Sequence, residues 1–278
     1  MANSVVERTT NAAAEATAGR RRLEGKAALV TGAGSGIGRA TALRLAREGA
    51  MVCLVDLKET NAGDVVRTIE DEGGQAIATD TDVSDPRRVE AAVKAAVDAF
   101  GRLDVVFANA GINGTMAPIE SLTPEQWEHT ITTNLFGTFY AVKYAIPHMK
   151  RDGGSIIITS SINGSRKFRN FGGAAYSTSK AGQIAFAKMA ALELARYRIR
   201  VNAICPGAIR TNIGENTIQT DEVKRIEIPI QYPEGSQPLE HGPGAPEQVA
   251  DLVLFLASDE SSHISGTELF IDGAESLL

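Results

Sequence analysis

From Lys26 onward the chain alternates short, almost continuously apolar runs with longer segments whose apolar positions recur every three or four residues. The short runs are AALVT at 27–31, AMVCLVD at 50–56, QAIATD at 75–80, LDVVFAN at 103–109, SIIITS at 155–160, RVNAIC at 200–205 and TELFID at 267–272. A strand with one face in water alternates apolar and polar side chains. These do not, so they predict a parallel sheet covered on both faces. Helical periodicity predicts helices over 37–48, 61–72, 86–100, 123–150, 174–197 and 246–257. Three of these open on Asp85-Pro86, Thr123-Pro124 and Ala245-Pro246, which put proline where a helix tolerates its missing N–H. Strand and helix in repeated alternation predict an α/β doubly wound layer fold.

The alternation runs unbroken to Cys205 and resumes at Pro246, so one domain over 25–278 is expected. The pause at 208–245 holds Pro229, Pro233, Pro238 and Pro243 and is expected to be a substrate lid. Residues 1–24 show no sustained period and are expected to form a flexible extension. A net charge of -6 gives no electrostatic basis for nucleic-acid binding. No apolar run reaches the roughly 18 residues of a spanning helix, and the first residues lack the apolar centre of a secretory signal. A cytoplasmic protein without membrane or nucleic-acid partners is therefore expected. Cys53 and Cys205 sit in apolar runs with no partner at metal-ligand spacing, so buried structural thiols and no metal are expected.

The first strand runs into TGAGSGIGRA at 31–40, with glycines spaced Gly32-x-x-x-Gly36-x-Gly38. Glycines there let the backbone turn tightly and approach a pyrophosphate, while the next helix aims its free N–H groups at the anion. Asp56 closes the second strand, 18 residues past Gly38. A carboxylate at that point accepts hydrogen bonds from ribose hydroxyls and repels a 2'-phosphate, which favours NAD over NADP. Neither Ser35 nor Leu57 supplies a cation for a phosphate, although Arg39 and Lys58 lie close by.

With these motifs the chain resembles the short-chain dehydrogenase/reductase family from about Gly25 to the C-terminus. The resemblance is carried by TGAGSGIG at 31–38, Asp56, Asp82-Val83, Asn109-Ala110-Gly111, Asn134, Ser160-Ser161, Tyr176-x-x-x-Lys180, Pro206-Gly207 with Thr211, and Ile271-Asp272-Gly273. It implies a single-domain Rossmann-like fold with a seven-stranded parallel sheet flanked by helices. It also implies a cofactor site drawn from Gly32, Ser35, Gly36, Ile37, Gly38, Asp56, Leu57, Asp82, Val83, Asn109, Ala110, Gly111, Tyr176, Lys180, Pro206, Gly207, Ile209 and Thr211. Asp82 is expected to touch the adenine amino group or to cap the next helix. The long helices at 123–150 and 174–197 resemble those that build four-helix contacts, which implies a homotetramer.

Of the five tyrosines, only Tyr176 is followed four residues later by a lysine, Lys180. Positions four apart share one helix face. An ammonium there is expected to favour the phenolate and lower a pKa that otherwise sits near ~10. The resemblance makes Tyr176 the general acid/base, and Lys180 both its pKa-shifting neighbour and a holder of the nicotinamide ribose. It gives a serine the substrate oxygen, and Asn134 a water that links Lys180 to solvent. Adjacent strand residues face opposite ways, so one of Ser160 and Ser161 can point into the site. Ser161 opens the Ser-x-x-Gly stretch and is the expected one.

Between Ser161 and Tyr176 the stretch SRKFRNFGGAA is longer than the resemblance leads one to expect, and it adds Arg166, Lys167 and Arg169. They are expected to be a solvated loop; the alternative is a cationic field that attracts an anionic substrate. Ala274 stands where the family commonly has a second glycine. The implied function is an NAD(H)-dependent oxidoreductase moving hydride between nicotinamide and a secondary alcohol or ketone. The alternatives are an NADP(H)-dependent carbonyl or 3-oxoacyl thioester reductase and a dinucleotide-sensing protein without turnover.

Overall fold

The structure, a computed structural model, describes residues 21–57, 59–233 and 235–278. Seven strands make one sheet: β1 (Ala27–Thr31), β2 (Met51–Asp56), β3 (Gln75–Asp80), β4 (Val105–Ala108), β6 (Gly154–Thr159), β7 (Ile199–Pro206) and β9 (Glu268–Ile271). Their order is β3-β2-β1-β4-β6-β7-β9, and every pairing is parallel. The near-continuous apolar runs have the predicted cause. Leu29, Cys53 and Val55 face one apolar core with α3 (Pro86–Phe100), α5 (Gly137–Met149) and α6 (Ala174–Leu194). Val30, Val52 and Leu54 face a second core with α1 (Gly36–Arg47), α2 (Glu59–Asp71) and α7 (Pro246–Ala257).

Strand order reverses direction at β1, which pairs with β2 on one side and β4 on the other. In such sheets the crevice outside the carboxyl strand ends at this switch point is where ligands bind. The segments that leave those ends carry the predicted site residues.

The helix starts follow their chemistry. Asp85 accepts from the Arg87 N–H, and Thr123 forms a capping box with Gln126 at the start of α4 (Pro124–Ile131). The expected single helix over 123–150 is interrupted. After α4 the chain takes one π turn over Thr132–Phe136 before α5 begins. A second feature outside the sequence pattern is a two-stranded parallel pair, β5 (Gly114–Met116) with β8 (Thr217–Gln219), which ties the 208–245 segment to the loop after β4. That segment otherwise holds short 3-10 turns at Asn212–Asn216 and Asp221–Arg225.

The expected flexible stretch at 1–24 is corrected at its end, while residues 1–20 lie outside the described residues. Leu23 is buried and donates its N–H to Glu48 O at 2.8 Å, and Arg22 pairs with Glu48. Cys53 and Cys205 are free and buried, and burial pushes their thiols up to about 12 and about 11 respectively. Among the described residues no helix is long and apolar enough to cross a membrane.

Candidate active site

The glycine turn joins β1 to α1. Gly32 and Gly36 have φ of +65° and +49°, where a side chain is strained. Gly38 is required for a different reason: a Cβ there would lie 1.9 Å from the Gly32 carbonyl oxygen, so helix and turn touch backbone to backbone. Ser35 is the N-cap of α1 but makes no side-chain capping bond, and the first turn has no acidic residue. The first turn thus brings no acidic side chain of its own to its N–H groups and positive dipole end, which suits a phosphate. Thr211 lies over the turn, its Cγ2 3.1 Å from where a Gly36 Cβ would be. Ile37 is partly buried against the second core, and Ile209 forms an isolated bridge with Gly244.

Asp56, at the end of β2, accepts from the Gly34 N–H at 2.8 Å, which fixes its carboxylate beside the turn. Leu57 is exposed, and Lys58 lies outside the described residues. Asp82 bonds the N–H and the hydroxyl of Ser84, while the helix cap is Asp85, so the capping alternative for Asp82 does not hold. Val83 packs against Gly137. Thr31 Oγ1 accepts from the N–H groups of Asn109 and Ala110 at 2.9 and 3.0 Å, which ties the Asn-Ala-Gly loop to the glycine turn.

The next group gathers where β6 ends. Ser160 turns its hydroxyl away, donating to Lys180 O at 2.8 Å. Ser161 faces the phenol of Tyr176 and bonds with it, while its Oγ also accepts from Asn163 N at 3.1 Å. Lys180 Nζ lies 5.6 Å from the Tyr176 ring centroid and donates to Thr159 O at 2.9 Å. Gly111 makes room for this ammonium: a Cβ there would sit 3.5 Å from Nζ and 3.1 Å from Asn134 Oδ1.

Asn134 lies in the π turn, fully buried. Its Oδ1 accepts from Ile112 N, and its Nδ2 donates to Ile112 O and Ser179 Oγ. These bonds use the amide to lock the loop after β4 against α6, so the side chain acts here as a brace. Its backbone oxygen accepts from Gln183 Nε2 and Thr138 Oγ1.

The electrostatics correct a second expectation. Tyr176 is pushed up from the usual phenol range, not down: burial is the largest cause, and the Ser161 hydrogen bond only opposes it. Burial also pulls Lys180 down to about 8. Both groups, taken out of water, lean toward their neutral forms, and burial decides the direction for each.

The insert after Ser161 is only in part the solvated loop expected: Ser165, Arg166, Phe168 and Asn170 are exposed, but one of its three cations is not. Lys167 is buried, donating to the Glu275 backbone oxygen at 2.9 Å and to its Oε1 at 3.3 Å. Glu275 Oε2 accepts in turn from Ala208 N at 2.8 Å and Gln237 Nε2 at 2.9 Å. Glu275 follows Ala274, which adopts φ +67° where a glycine is at ease. The carboxylate packs so closely on Gly207 that a Cβ there would lie 2.6 Å from Oε2. Pro206, buried at the end of β7, precedes that glycine. Glu275 and Gln237 carried no sequence signal, because their partners are 29 to 108 residues away. Among the described residues no cluster of His, Cys, Asp and Glu could hold a metal ion.

A family model described as Enoyl-(Acyl carrier protein) reductase matches residues 32–274. Levodione reductase of Leifsonia aquatica is 38% identical over 261 residues, covering 92% of this chain and 96% of that protein. Cyclohexanol dehydrogenase of Acinetobacter sp. (strain SE19) is also 38% identical, over 91% of this chain and 96% of its own. The crystal structure of a 3-ketoacyl-ACP reductase from Sinorhizobium meliloti 1021 superimposes with a TM-score of 0.86 at 46% identity, covering 90% of this chain and 99% of that one. With sheet order, glycine turn and Tyr-Lys pair in agreement, the chain belongs to the short-chain dehydrogenase/reductase family.

Proposed function

We propose that this protein is an NAD(H)-dependent oxidoreductase that interconverts a secondary alcohol and its ketone, with Tyr176 as general acid/base. The observation that carries the reading is the meeting of Tyr176, Ser161 and Lys180 at the carboxyl end of β6, in a sheet whose β1 end carries an anion-ready glycine turn. Similarity to levodione reductase and cyclohexanol dehydrogenase supports ring ketones and ring alcohols as the substrate class.

The residues fit a dinucleotide. Gly32, Gly36 and Gly38 form a cradle that Cβ atoms would fill, with the N-terminus of α1 behind it. Asp56 is set to take the adenosine ribose hydroxyls, and Lys180 the nicotinamide ribose. When bound, the nicotinamide accepts or returns the hydride. In oxidation, the Tyr176 oxygen takes the carbinol proton as the carbon–hydrogen bond breaks; in reduction it returns a proton to the carbonyl oxygen. Ser161, whose hydroxyl meets the Tyr176 phenol in the ligand-free site, would turn that hydroxyl to the substrate oxygen and orient it in both directions. Asn134 keeps the loop that carries Gly111 closed against Lys180.

Because burial raises Tyr176, its ligand-free ground state is the proton donor, which suits reduction at neutral pH and oxidation at alkaline pH. The long helices present Phe139, Met189 and Leu192 to solvent, which supports a homo-oligomer and, with the family resemblance, a homotetramer. The Sinorhizobium meliloti structure favours a second reading, an NADP(H)-dependent 3-oxoacyl thioester reductase. Titration with both cofactors, followed by a screen of ring alcohols, ring ketones and 3-oxoacyl thioesters, separates the two. NAD(H) preference with turnover of a ring alcohol or ketone supports the first reading; NADPH preference with thioester turnover replaces it.

A further inference from the structure

Three cations lie between Ser161 and Tyr176, and two of them have their donors met. Lys167 is held by Glu275, and Arg166 is exposed to water, its guanidinium 3.5 Å over the Phe270 ring centroid. Arg169 differs. Its guanidinium lies 4.4 Å over the Tyr232 ring centroid, it makes no ion pair among the described residues, and its Nη1 is shut off from water with no acceptor. An aromatic face fixes the guanidinium plane but satisfies none of its in-plane donors. A buried donor in that state costs free energy until an acceptor arrives.

Its position says where such an acceptor would come from. One end of the insert is Ser161, whose hydroxyl meets Tyr176; the other end is Gly173, the N-cap of the helix that carries Tyr176. Tyr232 belongs to the segment that leaves the carboxyl end of β7. The buried Lys167 lies 5.6 Å from the same ring and is clamped to the carboxylate that holds Ala208. Arg169 is thereby fixed where the insert meets the lid segment, and both segments leave carboxyl strand ends of the sheet, as the Ser161 stretch does.

We propose that Arg169 reads a carboxylate on the substrate while the carbinol carbon sits at Tyr176 and Ser161, which makes hydroxy acids and the matching keto acids the substrate class. This rests on the alcohol–ketone reading of the same site. A carboxylate supplies the acceptor that Nη1 lacks, and guanidinium–carboxylate bonds are among the stronger ones available to a side chain.

The test compares NAD-linked oxidation of ring hydroxy acids, the carboxamides of the same acids, and cyclohexanol, by wild type, Arg169→Ala and Arg169→Lys. NADH binding by each variant, read from fluorescence, shows that the cofactor site is intact. The wild type is expected to favour the acids over their carboxamides. Arg169→Ala is expected to lose about 10- to 100-fold in kcat/KM on the acids, chiefly through KM, with less than about threefold change on the neutral alcohols. Arg169→Lys is expected to recover part of the loss. Turnover of neutral alcohols with no gain for the acids, or an equal loss on acids and carboxamides in Arg169→Ala, overturns the carboxylate reader and leaves the proposed function standing. No turnover of any member, in either direction, overturns the proposed function itself.

Discussion

Replacing Glu275 with alanine removes a side chain that joins the C-terminal turn, the insert and the lid. Both it and Lys167 are buried, so the change leaves an ammonium out of water with only the backbone oxygen of residue 275 as acceptor. It also strips the acceptor from the Ala208 N–H and one of the two from Gln237 Nε2, which keeps Ala208 O at 2.7 Å. Breaking a buried ion pair from one side costs about 3–5 kcal/mol. The surviving backbone bond places this case at the lower end, about 3 kcal/mol, or a fall of roughly 5–10 °C in Tm. Urea and thermal unfolding measure that loss, and limited proteolysis locates it: cleavage is expected to speed up within 208–245. Adding Lys167→Met removes the stranded charge, so the double variant is expected to be more stable than the sum of the singles predicts by at least about 1 kcal/mol. A single variant within about 0.5 kcal/mol of wild type, or strictly additive effects, would show that this cluster holds nothing in place.

The remaining predictions concern the cofactor and the buried lysine. Asp56→Ala is expected to lower kcat/KM for NAD by about 10- to 100-fold and to narrow the discrimination against NADP, since a charge-assisted ribose contact and a repulsion disappear together; unchanged cofactor kinetics would remove Asp56 from that role. Lys180 is depressed from 10.5 to about 8 in the folded chain, so between those values the unfolded state binds more protons and stability rises with pH. The gain across that window is on the order of 3 kcal/mol. Cys53, Cys205 and Tyr176 are raised and push the opposite way, so the quantity to measure is the difference between wild type and Lys180→Met from pH 8 to 10. A difference that does not grow with pH would contradict the burial argument.

Much of this was legible in the residues because the signals were local. Continuous apolar runs such as Ala27–Thr31 mark strands covered on both faces, and Asp85 and Thr123 name their helix starts through a side chain two or three residues from its partner. The glycine turn reads equally well, because Gly32 and Gly38 meet steric demands that no other residue meets. What escaped depends on distant partners. The π turn at Asn134 is stabilised by bonds to Ile112, Ser179 and Gln183, none of which a helical period encodes. The three-residue strands Gly114–Met116 and Thr217–Gln219 are too short to show alternation. Lys167 looked solvated because its carboxylate partner lies 108 residues away. The direction of the Tyr176 shift was misjudged for a related reason: the spacing to Lys180 is visible in the sequence, whereas the depth of burial that outweighs it is not.

The central claim is that the Tyr176 oxygen carries the proton. Tyr176→Phe removes that oxygen and keeps the ring that packs in the same place. Single-turnover reduction of a ketone that the wild type accepts, with NADH prebound and its absorbance followed, tests it directly. NADH affinity within about threefold of wild type and a hydride-transfer rate lower by about 10²–10⁴-fold are expected. A Phe variant that transfers hydride at the wild-type rate would contradict the account.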